Sequence, residues 1–235
     1  MKVFYFCTPI GVKILENLEI KVTRPTELND PFEFLPYADG HTGDKETEKK
    51  NCDAFYKTAG ETFLFLSFCQ DFKCPRMWAQ YAKDHSGLMF EFDLEETPFL
   101  EVAKSTNGFL RVDYVSKRVP WSECDNMDTE AFKKVSSRKG YAWSAEEEIR
   151  LMIRRHPDGR TIPSSLGLKD IVTDGKSVTL LPLTEACIAS VTFGLRTSDD
   201  LKSAVRRLLE NRFSKAKLFQ AKHHDSDFTM TREPV

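Results

Sequence analysis

Two glutamates at the start of an apolar stretch are the residues of this chain best suited to chemistry. Glu146 and Glu148 are separated by one residue and are followed by Ile149, Leu151 and Ile153 at alternating positions. Residues two apart on a β-strand point to the same face, so the pattern predicts two carboxylates side by side at the entry of a half-buried strand. Paired carboxylates can hold a sugar hydroxyl and guide a nucleophile. The alternative is a solvated turn or the first turn of a helix, because runs of charge usually face water.

Two further polar positions interrupt otherwise apolar or rigid segments. Asn29 and Asp30 precede Pro31, and this combination is typical of a rigid turn. The turn is either purely structural or presents the Asn29 amide or the Asp30 carboxylate to a pocket. Ser67 lies near the end of the apolar run 62–68, where its hydroxyl can bind a ligand. No Gly-x-Ser-x-Gly motif surrounds it, which argues against a hydrolase nucleophile.

Trp78, Tyr81 and His85 form a third group of candidates. Trp78 and Tyr81 are three residues apart, a spacing that places both on one face of a helix. That face is either a hydrophobic contact or an aromatic wall for a ligand. His85 precedes the Ser86-Gly87 turn, where it either caps the helix or faces a ligand.

Composition limits the function classes. The chain has 235 residues, a net charge of -2 and a pI of about 6.2, so bulk charge does not indicate nucleic-acid binding, although a local basic patch stays open. The six cysteines are scattered, which predicts reduced thiols in a cytoplasmic protein and no metal site. A metal-dependent nuclease or hydrolase would need a ligand cluster that the sequence does not supply. No apolar run reaches membrane-spanning length.

Alternating and helical patterns are interspersed along the chain, which predicts an α+β fold with a mixed or split sheet. We expect a single domain over residues 1–235, with a mobile polar loop at about 39–51. The predicted strands cover residues 3–7, 20–23, 62–68, 88–93, 109–115, 179–182 and 188–193, with a strand entered through the paired glutamates and a final strand at 217–221 paired with 228–230. The predicted helices cover residues 10–17, 76–83, 128–138 and 199–213.

Several blocks follow one another in a specific order: Leu28–Glu33, Ser67, Met77-Trp-x-x-Tyr-Ala82 with His85-x-Gly87, Lys139, Trp143-x-x-Glu-x-Glu-x-Arg150, and Val191–Gly194. In this order they resemble a bacterial and phage family, the domain of unknown function 2971. The resemblance extends from about Val3 to Glu233. It brings no established activity with it.

The layout is also similar, more loosely, to ADP-ribosyltransferases. Those enzymes use a polar or basic residue on the first strand, a hydroxyl residue on a middle strand and a Glu-x-Glu on a late strand. The matching positions here are Tyr5 or Thr8, then Ser67, then Glu146-x-Glu148. The first strand has Phe4-Tyr5-Phe6 where such enzymes commonly have His or Arg.

This second resemblance implies that NAD is the substrate and that ADP-ribose passes to a nucleic-acid or protein acceptor, in phage–host conflict or a toxin system. Glu148 would stabilise the positive charge that grows at the anomeric carbon, and Glu146 would orient or deprotonate the acceptor. The remaining positions that the resemblance implies for NAD binding are Tyr5, Thr8, Asn29, Ser67, Trp78, Tyr81, His85, and Lys139 or Arg150 on a phosphate. The alternative is a non-catalytic module that binds a nucleotide or nucleotide-derived signal in phage defence or anti-defence.

Overall fold

A mixed nine-stranded sheet carries most of the long strands of the chain. The computed structural model describes residues 1–105, 108–156, 160–162, 164–173 and 175–235. The strands are β1 (Lys2–Cys7), β2 (Glu19–Val22), β3 (Phe63–Cys69), β4 (Leu88–Asp93), β5 (Leu110–Arg111), β6 (Asp113–Val115), β7 (Arg138–Gly140), β8 (Glu148–Arg155), β9 (Thr161–Ile162), β10 (Lys169–Thr173), β11 (Lys176–Pro182), β12 (Ile188–Phe193), β13 (Lys217–His223) and β14 (Met230–Pro234).

Within the described ranges, six α-helices and several short 3₁₀ helices lie between these strands. The α-helices are α1 (Val12–Asn17), α2 (Lys45–Thr62), α3 (Pro75–Tyr81), α4 (Phe99–Ser105), α5 (Thr129–Ser136) and α6 (Asp199–Arg212). No helix in the described ranges combines the length and the apolar character that a bilayer crossing requires.

The large sheet has the order β14-β13-β12-β4-β1-β3-β8-β5, with β9 paired to β8. Strands β12 and β13 are parallel, and the other neighbours in it are antiparallel. A second sheet has the order β10-β11-β2, and β6 pairs with β7 in parallel. The predicted α+β class, with a mixed sheet and interspersed helices, is confirmed.

Strand β3 is apolar except at Ser67 because helices cover both of its faces. On one face the ring of Phe68 lies 5.6 Å from the ring of Phe99 in α4, and on the other face Phe65 belongs to the cluster that contains Phe55 of α2. Ser67 is the one residue of β3 that is not buried. Burying a Leu or Phe side chain contributes about 1.5–3 kcal/mol, so this strand is a firm support for Ser67.

Only the first part of the polar segment 39–51, residues 39–44, lies outside a helix. Residues 45–51 are the start of helix α2, so the prediction of a loop there is wrong. The Asp44 side chain caps the helix by accepting hydrogen bonds from the backbone N–H groups of Glu46 and Thr47, each at 3.1 Å. The first turns of α2 carry charge and little apolar periodicity. The helix is stabilised instead by the cap at its N-terminus and by burial of Phe55 farther along.

The chain makes a tight left-handed turn after helix α3. Lys83, Asp84 and His85 all have positive φ angles, of 47°, 52° and 66°. The turn packs closely onto the end of β12, where a Cβ atom added to Gly194 would lie 2.1 Å from the carbonyl oxygen of His85. The end of β1 is equally close, because a Cβ on Gly87 would lie 2.1 Å from the carbonyl oxygen of Cys7. Glycine is required at both positions by backbone contact.

We expect Gly194→Ala to lower the free energy of unfolding by about 3 kcal/mol, because the new methyl group would push against a backbone oxygen that cannot rotate away. Gly140→Ala is the matched control. Gly140 has φ of −66°, and no atom lies within 4 Å of an added Cβ. The free energy of unfolding of Gly140→Ala should therefore stay unchanged or rise by less than about 1 kcal/mol. Urea unfolding of both variants measures the difference. Equal stabilities would contradict the contact.

Candidate functional site

The large sheet opens between strands β1 and β3. Strand β1 pairs with β4 along its whole length, from Lys2 to Cys7, but its pairing with β3 is restricted to Phe4 and Cys69. Beyond this pair the two strands diverge. A cavity occupies the space between them.

The opening leaves backbone groups of β3 without a strand partner. Phe65 exchanges both of its backbone hydrogen bonds with Thr23, at 2.8 Å each, so its N–H and C=O point away from β8. Backbone direction repeats every second residue of a strand. The N–H and C=O of Ser67 therefore also point away from β8, between the pair at Phe65 and the pair at Cys69. They face the cavity as one donor and one acceptor.

The cavity, hereafter the central cavity, has a volume of about 300 Å³. Its walls come from β1, β3, the segment 21–33, helix α3 and the segment that ends in the paired glutamates. Seven of the positions selected from the sequence line it together: Tyr5, Asn29, Ser67, Tyr81, Lys139, Glu146 and Glu148.

A buried lysine joins three carboxylates at the wall of the central cavity. Lys139 Nζ lies 2.7 Å from Glu33 Oε1, 2.6 Å from Glu146 Oε2 and 3.2 Å from Glu148 Oε2. Its side chain is 6% exposed. Burial opposes the charge of Lys139, but Glu148, Glu33 and Glu146 together raise its pKa above the ordinary value, so the ammonium group stays protonated.

Arg150 completes a buried charge network with Glu33, Lys139, Glu146 and Glu148. Its Nε donates to Glu148 Oε1 at 2.7 Å, and its Nη2 donates to Glu148 Oε2 at 2.8 Å and to Glu33 Oε2 at 2.7 Å. Its Nη1 donates to the carbonyl oxygen of Ser136 at 2.7 Å. Arg150 is 1% exposed and does not line the central cavity. The guanidinium therefore holds the carboxylates in place and has no exposed face for a phosphate.

Glu146 and Glu148 experience opposite electrostatic environments. Burial would raise the pKa of Glu148, but Arg150 and then Lys139 overcome it and hold this pKa at about 2. Burial raises the pKa of Glu146 above its ordinary value, against the opposing effects of Lys139 and of Tyr81, whose hydroxyl donates to Glu146 Oε1. Three carboxylates face two cations in the network, so one negative charge is in excess, and of Glu146 and Glu148 it is Glu146 that protonates more easily.

The two glutamates reach this wall from different elements. Glu146 ends the 3₁₀ helix Tyr141–Glu146, and Glu148 begins β8, so the prediction that both lie on one strand is wrong. Glu147 between them has a left-handed conformation with φ of 41°, and its side chain is exposed. This single residue reverses the chain direction enough for both neighbours to point inward. Their convergence on Lys139 agrees with the predicted pairing of the carboxylates.

Besides Arg150, three positions selected from the sequence lie outside the central cavity. Trp78 is fully buried, and its indole N–H donates to the carbonyl oxygen of Phe72 at 3.0 Å. His85 lies in the left-handed turn, with its ring stacked on Trp78 at 6.4 Å between centroids. Thr8 is exposed ahead of a 3₁₀ helix and its side chain makes no capping hydrogen bond.

Glu33 belongs to the network but was not selected from the sequence. Asp30 builds the turn before it. The Asp30 carboxylate accepts a hydrogen bond from the N–H of Phe32 at 2.9 Å, and the Asp30 carbonyl oxygen accepts one from the N–H of Glu33 at 3.2 Å. Asp30 therefore builds the turn, as the structural interpretation predicts, but it also lines a second cavity, and Asn29 lines the central cavity. The available signal was the position of a glutamate directly after a rigid turn, which gives its carboxylate a fixed direction.

Among the described residues, one group of side chains has potential metal-ligand atoms close together. Asp39, His41 and Glu48 each place one such atom within 4.8 Å of the others. The Glu48 carboxylate already accepts hydrogen bonds from the N–H and the hydroxyl of Thr42, at 2.8 and 2.9 Å. Both ring nitrogens of His41 face carboxylates, with Asp125 at 3.4 Å on the second side. The group therefore works as an anchor between the segment 39–42 and helix α2.

Residues 77–151 match a family model described as "Protein of unknown function (DUF2971)". The match covers the part of the chain that supplies Tyr81, Lys139, Glu146, Glu148 and Arg150, and it supports the first resemblance found in the sequence. No curated protein and no solved structure has significant similarity to this chain.

Removing the guanidinium of Arg150 should destabilise the fold strongly. We expect Arg150→Met to lower the free energy of unfolding by about 3–5 kcal/mol, because the three buried carboxylates of the network would then share the single charge of Lys139. Arg212→Met is the matched control, since Arg212 pairs with Glu185 at 2.7 Å on the surface and should cost less than about 1 kcal/mol. Thermal and urea unfolding of both variants provide the measurement, and similar losses would refute the role of Arg150.

Proposed function

We propose that this protein binds NAD in the central cavity, cleaves the bond between nicotinamide and ribose, and transfers ADP-ribose to an acceptor. The supporting observation is the pair Glu146 and Glu148, which lie at one cavity wall with pKa values displaced in opposite directions. Such a pair provides a permanently ionised carboxylate beside one that exchanges a proton, the combination that glycosidic-bond chemistry uses.

The central cavity suits the nicotinamide riboside half of the dinucleotide. Its volume of about 300 Å³ lies at the lower end of the range for small-ligand sites, about 300–1,000 Å³. The unpaired N–H and C=O of Ser67 complement a carboxamide, which also offers one acceptor and one donor. The rings of Tyr5 and Tyr81 form part of the walls, where a flat heterocycle can pack against them. The adenosine half would lie outside this cavity.

The chemical step divides between the two glutamates. The bond between C1′ of the ribose and the pyridinium nitrogen breaks, and its electron pair leaves with neutral nicotinamide. Positive charge then grows on the ribose, and the ionised Glu148 stabilises it electrostatically. The oxygen or nitrogen of the acceptor forms the new bond to C1′, and the proton that it loses passes to Glu146. With water as the acceptor, the products are nicotinamide, ADP-ribose and a proton.

One observation favours the second candidate, a module that binds a nucleotide without turnover. The oxygens of Glu148 already accept hydrogen bonds from Arg150, Lys139 and the hydroxyl of Ser67. A carboxylate with so many partners stabilises the wall of a binding site well. In that case the cavity would bind NAD or a related nucleotide, and no bond would be broken.

Nicotinamide release from NAD by the purified protein, with and without cell lysate, tests the proposal. Glu148→Gln should lower the rate about 10²–10³-fold, because the charge that faces the developing cation is lost. Glu147→Gln is the matched control: the same substitution on the exposed neighbour should leave the rate unchanged. Thermal unfolding of each variant separates a catalytic loss from a loss of folding.

Two results would contradict catalysis. Equal rates for Glu148→Gln and Glu147→Gln, with both variants folded, would remove Glu148 from the chemical step. Absence of nicotinamide release under every condition, together with NAD binding by calorimetry, would establish the binding module. Absence of both release and binding would reject NAD as the ligand.

The pH dependence of ADP-ribose transfer should report on Glu146. As the base, Glu146 must be ionised, so kcat/KM should fall when the pH drops below its raised pKa. This acid limb should therefore lie above pH 4.5, the ordinary value for a glutamate. In Glu146→Gln the limb should disappear and the maximal rate should fall about 10²–10⁴-fold. A limb that persists in this variant would assign the proton to another group.

A further inference from the structure

A second cavity lies on the other side of the Glu33–Lys139 ion pair. It has a volume of about 690 Å³, and we call it the aromatic cavity. Glu33 and Lys139 line both this cavity and the central cavity. The two cavities therefore share these two residues of the buried charge network in their walls.

Aromatic rings form the open part of this second cavity. The side chain of Phe32 is 61% exposed although it is large and apolar. Trp143 is half-buried, and Lys139 Nζ lies 4.8 Å from the centre of its ring. Both rings line the cavity, where a face that no cation covers can stack against a flat group.

Positive charge surrounds these rings. Lys117, Arg118 and Arg138 line the aromatic cavity, and no carboxylate of the described residues lies within 4.0 Å of any of them. Arg118 lies over the ring of Phe32 at 5.6 Å. The two acidic residues of the lining, Asp30 and Glu33, are 6% and 3% exposed and are held by internal hydrogen bonds. The accessible charge of the cavity is therefore positive on a chain whose net charge is -2.

Trp143 lines both this cavity and a neighbouring space that Glu146 lines. This neighbouring space has a volume of about 280 Å³ and is also lined by Arg76, and Glu146 in turn lines the central cavity. The 3₁₀ helix Tyr141–Glu146 thus carries an aromatic ring and the proton-accepting carboxylate on one rigid segment. A group stacked on Trp143 lies beside the residue that would deprotonate an acceptor.

We propose that the aromatic cavity is the acceptor site and that it takes single-stranded nucleic acid, with a base stacked on Trp143 and backbone phosphates on Lys117, Arg118 and Arg138. Exposed aromatic rings next to unpaired cations are the combination that binds single strands. A duplex hides the faces of its bases, so it would leave Phe32 and Trp143 uncovered. The assignment as an acceptor site rests on the proposed ADP-ribose transfer, whereas strand binding does not.

Fluorescence anisotropy with labelled 12-nucleotide oligothymidine and oligouridine tests strand binding and separates DNA from RNA. In the double variant Lys117→Gln with Arg138→Gln, the slope of log K against log salt should become shallower by about 1.4, because each phosphate contact on a single strand contributes about 0.7. The control is Lys13→Gln with Arg207→Gln, which removes the same charge from exposed residues that line none of these cavities. Its slope should not change.

Stacking is tested separately. Trp143→Ala should weaken binding about tenfold, whereas Trp143→Phe, which keeps an aromatic face, should retain most of the affinity. Absence of oligonucleotide binding by the unmodified protein, or equal slopes for the two double variants, would overturn the proposal.

A parallel assay with NAD labelled in its adenosine half separates this inference from the proposed function. Label that becomes attached to the oligonucleotide supports both. Oligonucleotide binding without nicotinamide release rejects the transferase while the binding site stands. Nicotinamide release with label found only on lysate protein supports the transferase and rejects a nucleic-acid acceptor.

Discussion

The contact between Lys139 and three glutamates is the interaction on which the site depends. Moving one charge out of water costs several kcal/mol, and such a charge is tolerated in a protein when it is paired and hydrogen-bonded. Here Glu33, Glu146 and Glu148 come from three separate segments and meet at one ammonium group, with Arg150 closing the network from behind. The cluster therefore fixes the relative positions of the segment 21–33, the 3₁₀ helix before β8 and β8 itself.

The same cluster gives the site its chemical asymmetry. Arg150 contacts Glu148 through two hydrogen bonds and does not contact Glu146. The consequence is one carboxylate with a lowered pKa and one with a raised pKa, although the residues are two apart and chemically identical. The glutamate that takes up a proton more readily is thereby the one that also accepts a hydrogen bond from Tyr81 and lines the central cavity.

The cavities exist because the sheet is interrupted at a defined place. Strands β1 and β3 share one residue pair, Phe4 and Cys69. The backbone N–H and C=O of Ser67, two residues before Cys69, face the space between the strands. The strands remain rigid because their other edges are paired in full with β4 and β8. A rigid gap of this kind exposes backbone donors and acceptors, which are more precisely placed than long side chains.

Local patterns determined much of the fold. The apolar run at 62–68, the alternation after Glu148 and the helical periodicity of 199–213 each predicted an element that the structure confirms within one or two residues. Such signals survive because burial of a strand or of one helix face imposes a period on the sequence. The start of α2 and the position of Glu146 outside a strand had no such signal, since a polar capped helix and a left-handed residue at Glu147 leave no apolar period.

By itself, the sequence determined which residue types are available for chemistry: the two glutamates, the lysine and arginine near them, and Ser67 on a buried strand. Tertiary structure alone decided their roles. Arg150 became a partner of buried carboxylates, Trp78 entered the core, and Glu33 joined the network. These outcomes depend on which segments meet across the sheet, and distances between remote segments follow from packing and not from the spacing of residues along the chain.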